Sequence, residues 1–134
     1  MMGIGSSFTI NTHVCLSYKE LNSLTRRSTY GLGSYCDNRI SRDWKGPGWY
    51  RVTGEAGTKL VDTPAVEKHC GTYATGWLSG GHPTVAEGEA YRTVNFSWGG
   101  DTASWSATVK VVNCNTHYVY YLKENSCTSG DCTE

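Results

Sequence analysis

Three kinds of side chain in this sequence bear on chemistry: nucleophiles with a base, paired carboxylates, and aromatic rings beside polar groups. Nucleophilic catalysis needs a Ser or Cys, a base and an orienting acid in one place. Serines are plentiful, but no Gly-x-Ser-x-Gly occurs, and His13, His69, His82 and His117 stand singly. Each histidine reads as a turn or surface residue. Glu87 and Glu89 lie two apart and would share one face of a strand. Glycosidase carboxyls must instead face each other across a cleft. With no phosphate-cradling glycine loop or dinucleotide fingerprint either, the residues describe no enzyme and require no cofactor.

The rings carry more. Five Trp, nine Tyr and two Phe are many for 134 residues. Sugar recognition uses a flat ring against the C–H face of a pyranose, with Asp, Asn, Glu, Arg or His to bond its hydroxyls. Trp49, Trp77 and Trp105 are expected to fill the interior. Trp98 and Trp44 adjoin turns and are expected at the surface. Trp98 runs into Gly99, Gly100 and Asp101, a ring beside small residues and a carboxylate. Gly80, Gly81, His82 and Pro83, followed by Glu87 and Arg92, make a second candidate. The expected ligand-binding set is therefore Trp98, Asp101, His82, Glu87, Arg92 and Trp44. No Glu-Pro-Asn or Gln-Pro-Asp lectin signature is present, so sugar binding is expected to need no metal.

Six cysteines, Cys15, Cys36, Cys70, Cys114, Cys127 and Cys132, are spread widely with no Cys-x-x-Cys. That pattern reads as a disulfide framework from an oxidising compartment. Zinc ligands come in tight pairs; only Cys127 and Cys132 approach this, and no histidine pair completes a site. Bridges matter because hydrophobic content is only 38%. A bridge closing a long loop contributes roughly 2–4 kcal/mol, against a total stability on the order of 5–15 kcal/mol. Twelve acidic and twelve basic side chains cancel, leaving no electrostatic footprint for nucleic acid or an anionic membrane. No apolar run is long enough to span a bilayer. The opening Met1 to Phe8 lacks the pattern of a signal peptide, so secretion implies a targeting segment outside this stretch.

Positioning falls to strands. Trp105, Ala107, Val109 and Val111 alternate with Ser104, Ser106, Thr108 and Lys110, the period of a half-buried strand. Asn113, Cys114, Asn115 and Thr116 turn it into a Tyr- and Val-rich return over residues 117–123. Residues 49–53 read as a strand, 54–57 as a turn and 58–61 as its return. A Gly-rich loop over 76–83 precedes a strand over 89–98. Residues 18–24 carry too few apolar positions for an independent helix. Residues 1–14 read as a flexible tail and 15–134 as one module. The expected fold is a small all-β or β-dominated domain of antiparallel hairpins with little helix.

In this order the motifs resemble the extracellular eight-cysteine module of uromodulin and the zymogen-granule membrane glycoprotein. The resemblance rests on Cys15-Leu16-Ser17-Tyr18-Lys19-Glu20-Leu21, Tyr35-Cys36-Asp37, Gly48-Trp49-Tyr50-Arg51-Val52 with Gly57, and Cys70-Gly71-Thr72. It continues through Gly76-Trp77-Leu78-Ser79-Gly80-Gly81-His82-Pro83, Glu87-Gly88, Arg92, Trp98 and Trp105. Val109-Lys110-Val111 with Cys114, Tyr118-Val119-Tyr120 with Leu122, and Cys127 with Cys132-Thr133 complete it. The resemblance implies three disulfides: Cys15 with Cys114, Cys36 with Cys127, and Cys70 with Cys132. Where family members have two further pairs, this chain has Pro64 with Thr102 and Asn95 with Ala103. The lost ties imply a looser loop at residues 99–102.

In uromodulin the module presents a mannose-rich sugar to bacterial fimbriae. At the positions that would carry that sugar, this chain has Tyr121 and Ser79, neither of which takes an N-linked glycan. Its one ordinary acceptor motif is Asn95-Phe96-Ser97, inside an expected strand. The sequence thus points to a secreted, extracellular, non-enzymatic protein that binds glycans or glycoproteins as a metal-independent lectin. The alternative is a structural or adhesive matrix or coat module with protein partners. Neither nucleic acid nor membrane insertion is expected. A homo-oligomer is the expected route to more than one binding site.

Overall fold

The alternation in residues 104–111 and the run over 89–98 become the two longest strands of a seven-stranded mixed sheet. The computed structural model describes residues 13–134, so nearly all of the expected tail lies outside the described residues. The strands are β1 (Lys19–Leu21), β2 (Gly48–Val52), β3 (Ala74–Ser79), β4 (Glu89–Trp98), β5 (Asp101–Asn113), β6 (Tyr118–Leu122) and β7 (Ser129–Asp131). Their spatial order is β1-β2-β6-β5-β4-β3-β7. Helical structure among the described residues is confined to two 3-10 turns, Leu24–Arg26 and Gly54–Ala56, and a single turn at residues 13–16.

The centre is built of antiparallel neighbours, as the hairpin reading expects. The edges are not: β1 joins β2, and β7 joins β3, in parallel. Residues 58–61 are no return strand; Leu60 makes a single bridge to Thr133. The Gly-rich stretch expected as a loop holds β3. Gly76 stands opposite Phe96 there, and any side chain on Gly76 would collide with that ring. Two residues at positive φ, Gly99 and Gly100, form the β4–β5 turn.

One face of the sheet is apolar. Leu21, Tyr50, Val52, Leu78, Val94, Phe96, Val109, Val111, Tyr120 and Leu122 pack with Trp44, Ala56 and Leu60 from the loops. Trp44 corrects its expected place. Its ring is fully buried and stacks on Tyr50 at 5.0 Å, because the loop before β2 folds over the core. The other indoles move the opposite way. Trp49 and Trp77 are half-buried, and Trp105 is 37% exposed while lying over Phe96.

Polar groups fasten what burial does not. Arg26 has no exposure, and all five of its N–H groups are used. It grips Asp37 through two bonds of 2.8 Å, reaches Asp43 through Nε and Nη2, and donates to the Asp131 carbonyl at 3.0 Å. This clamp ties the Leu24–Arg26 turn and the 37–43 loop to β7.

Two of the three expected disulfides are formed, Cys15–Cys114 and Cys70–Cys132. The third is not: Cys36 is buried and free, and Cys127 is exposed and free. Hydrogen bonds join their two segments instead. Asp37 N–H donates to Ser129 O at 3.0 Å and Asn125 N–H to Asp37 O at 2.7 Å. The Cys127 thiol lies 3.7 Å from Asn38 Oδ1.

Candidate ligand-binding face

The face of the sheet away from the core follows from strand register. Trp49 pairs with Tyr121, Tyr121 with Lys110, and Lys110 with Tyr91. Four neighbouring strands therefore lay three rings and one ammonium in a single row, because directly paired residues project to the same side. Trp49 meets Tyr121 edge-on at 5.4 Å, and Lys110 Nζ stands 5.6 Å from the Tyr91 ring centre. Tyr91 is 69% exposed and Tyr121 36%. With Thr108 and Lys123 these side chains line an open cleft of about 330 Å³.

Lys110 is fixed by Glu89 at 2.9 Å, and that bond holds its ammonium above the usual lysine value. Lys123, at the same cleft, is exposed. The next rows of this face pair Ser79 with Thr93 and Thr93 with Thr108, adding hydroxyls beside the rings. An open surface with flat rings, hydroxyls and cations is equipped to hold a polyhydroxylated ligand. Among the described residues no three His, Cys, Asp or Glu side chains gather as a metal would require.

The sequence-derived candidates fall elsewhere. Trp98 and Asp101 are cross-strand partners beside the β4–β5 turn. Trp98 is 39% exposed, meets Tyr73 edge-on and has Lys68 Nζ 5.9 Å from its ring centre. Asp101 accepts the Ala103 N–H at 2.9 Å. The turn is not left loose: the Glu67 carboxylate accepts N–H bonds from Gly99 at 3.3 Å and Gly100 at 2.7 Å.

His82, Glu87 and Arg92 do come to one corner, as fasteners of the fold. The His82 side chain is only 4% exposed, and both ring nitrogens are engaged, Nδ1 with Asp62 at 3.1 Å and Nε2 with the Tyr120 hydroxyl at 2.7 Å. Burial lowers its pKa, and the neutral ring it favours suits a core histidine. Asp62, His82 and Tyr120 resemble a proton relay, but Tyr120 is fully buried. Glu87 accepts the Thr84 N–H while Thr84 accepts the Glu87 N–H, and Arg92 Nε donates to Gly81 O at 2.9 Å. Trp44 is in the core and offers no ring to solvent. Asn95 is half-buried in mid-sheet, between Trp77 of β3 and Ser106 of β5. The row that sequence reasoning missed had one available signal: Trp49, Tyr91, Lys110 and Tyr121 each sit at the polar phase of their strand.

A mixed sheet with little helix, two long-range disulfides and an open ring-bearing face defines a disulfide-stapled extracellular binding or structural module. Residues 50–133 match the family model of the uromodulin-like eight-cysteine domain, and the chain belongs to that family. It is 33% identical to uromodulin of Mus musculus over 122 residues, covering 90% of this chain and 18% of that protein. It is 32% identical to the pancreatic secretory granule membrane major glycoprotein GP2 of Homo sapiens over 127 residues, 91% of this chain and 22% of that protein. The chain thus spans about a fifth of the curated relatives it matches. Like the relatives, and in keeping with its disulfides, it is a secreted, extracellular module.

Proposed function

We infer that this module binds carbohydrate without metal and without catalysis, through the row formed by Trp49, Tyr121, Lys110 and Tyr91. One observation carries the reading. Three rings and a cation lie side by side on the open face of a sheet whose opposite face is a packed core. Rings anchored in paired strands lose little freedom on binding, which is what a weakly held ligand requires. Lys110, Lys123 and Thr108 supply hydrogen-bonding partners for sugar hydroxyls at the cleft. Trp98, with Tyr73, Lys68 and Asp101, forms a smaller second candidate on the same principle.

Saturation-transfer NMR with neutral and acidic oligosaccharides in solution tests this. Contact of pyranose protons with the protein, lost in Tyr91→Ala, supports the reading; an absence of transfer to every saccharide overturns it. The alternative, a structural or adhesive module with protein partners, is favoured by the unpaired stretch of β5, which offers main-chain hydrogen bonds to another chain.

A further inference from the structure

We propose that two copies of this chain join edge to edge through β5, as a two-fold antiparallel pair centred on Trp105. β6 pairs only with residues 110–113 of β5. Residues 101–109 are bonded to β4 on one side, and among the described residues no strand lies along their other side. Residues 101–106 are exposed. Proteins blunt such edges with charges or proline, yet residues 102–108 contain neither.

What that stretch contains is self-complementary. Thr102-Ala103-Ser104-Trp105-Ser106-Ala107-Thr108 reads the same in both directions. A two-fold axis reverses one copy against the other, so each residue of a palindrome meets its own kind. Trp105 of one copy lies opposite Trp105 of the other, Ser104 opposite Ser106, Ala103 opposite Ala107, and Thr102 opposite Thr108. Aromatic pairs and hydroxyl pairs are favourable across strands, and no like charges meet. An isologous contact of this kind closes at two copies.

The register slip between Phe96 and Trp98 sets residues 102–104 against Ser97, bending the tip of the hairpin. The Ala103 N–H is already taken by Asp101. The pairing is therefore strongest over residues 104–106, at the axis. There, each Trp105 already lies over its own Phe96 at 5.7 Å, so the pair buries both exposed indoles in one apolar stripe. The axis stands perpendicular to the sheet, which leaves the ring rows of both copies on the same side. The contact uses none of the cleft's ring row and holds whether or not the cleft binds sugar.

Sedimentation velocity of the oxidised chain over a concentration series tests the pairing. A reversible dimer is expected. S104K/S106K sets lysine against lysine twice across the axis and should weaken it on the order of tenfold or more. S104K/S106E sets opposite charges against each other in this register alone and should restore it. Both positions are exposed, and an unchanged thermal midpoint confirms intact folding of each variant. A wild-type chain that stays monomeric, a dimer indifferent to S104K/S106K, or an S104K/S106E variant no better than S104K/S106K would overturn the proposal.

Discussion

Asp131 is fully buried, and its carboxyl is pushed up to about 7, first by burial and then by the negative charge of Asp37, against the pull of Arg26. The folded chain therefore keeps a proton that the unfolded chain loses above about pH 4. Stability from this group falls as pH rises from about 4 to about 7, and is level above that. Asp131→Asn does not titrate. Relative to this variant, the wild type should lose on the order of a few kcal/mol between about pH 4 and pH 8, read from urea melts at the two pH values. A constant difference would show that Asp131 is ionised throughout. At the same scale, thiol alkylation of the native chain should label Cys127 alone, with Cys36 reacting only after unfolding. Such a buried, shared proton has no signature in sequence, where Asp131 is one acid beside a cysteine. Trp44 is similarly opaque: a Gly- and Pro-flanked indole reads as surface until the loop is seen folded over Tyr50.

Among the elements, β4, β5 and β6 were legible because alternation of apolar and polar residues outlasts chance over five to thirteen positions. β1 and β7 have three residues each, too few to show a period. They are strands because neighbouring chain and the Arg26 clamp hold them there. Arg26→Lys keeps the charge but cannot satisfy two carboxylates and a carbonyl with one fork, so about 3–5 kcal/mol should be lost. Urea unfolding measures the loss, and amide exchange should quicken first in β7. The β4–β5 turn depends on a residue distant in sequence. Glu67→Ala should speed exchange at the Gly99 and Gly100 amides on the order of tenfold, with the thermal midpoint of the sheet nearly unchanged.

For the whole molecule, disulfides and buried ion pairs fix a sheet with one sealed face and one open face. The sealed face is legible in the apolar phase of β5. The open row is not, because rings in Gly-Trp-Tyr and Tyr-Val-Tyr-Tyr runs read as core, and only register reveals which side each ring takes. Function turns on whether the open face, and not the β4–β5 turn, meets the ligand. A glycan array probed with wild type, Tyr91→Ala and Trp98→Ala chains tests this most directly. Wild-type binding is expected, weakened on the order of tenfold in Tyr91→Ala and surviving in Trp98→Ala. Binding lost with Trp98 and kept without Tyr91, or no wild-type binding to any glycan, would contradict it.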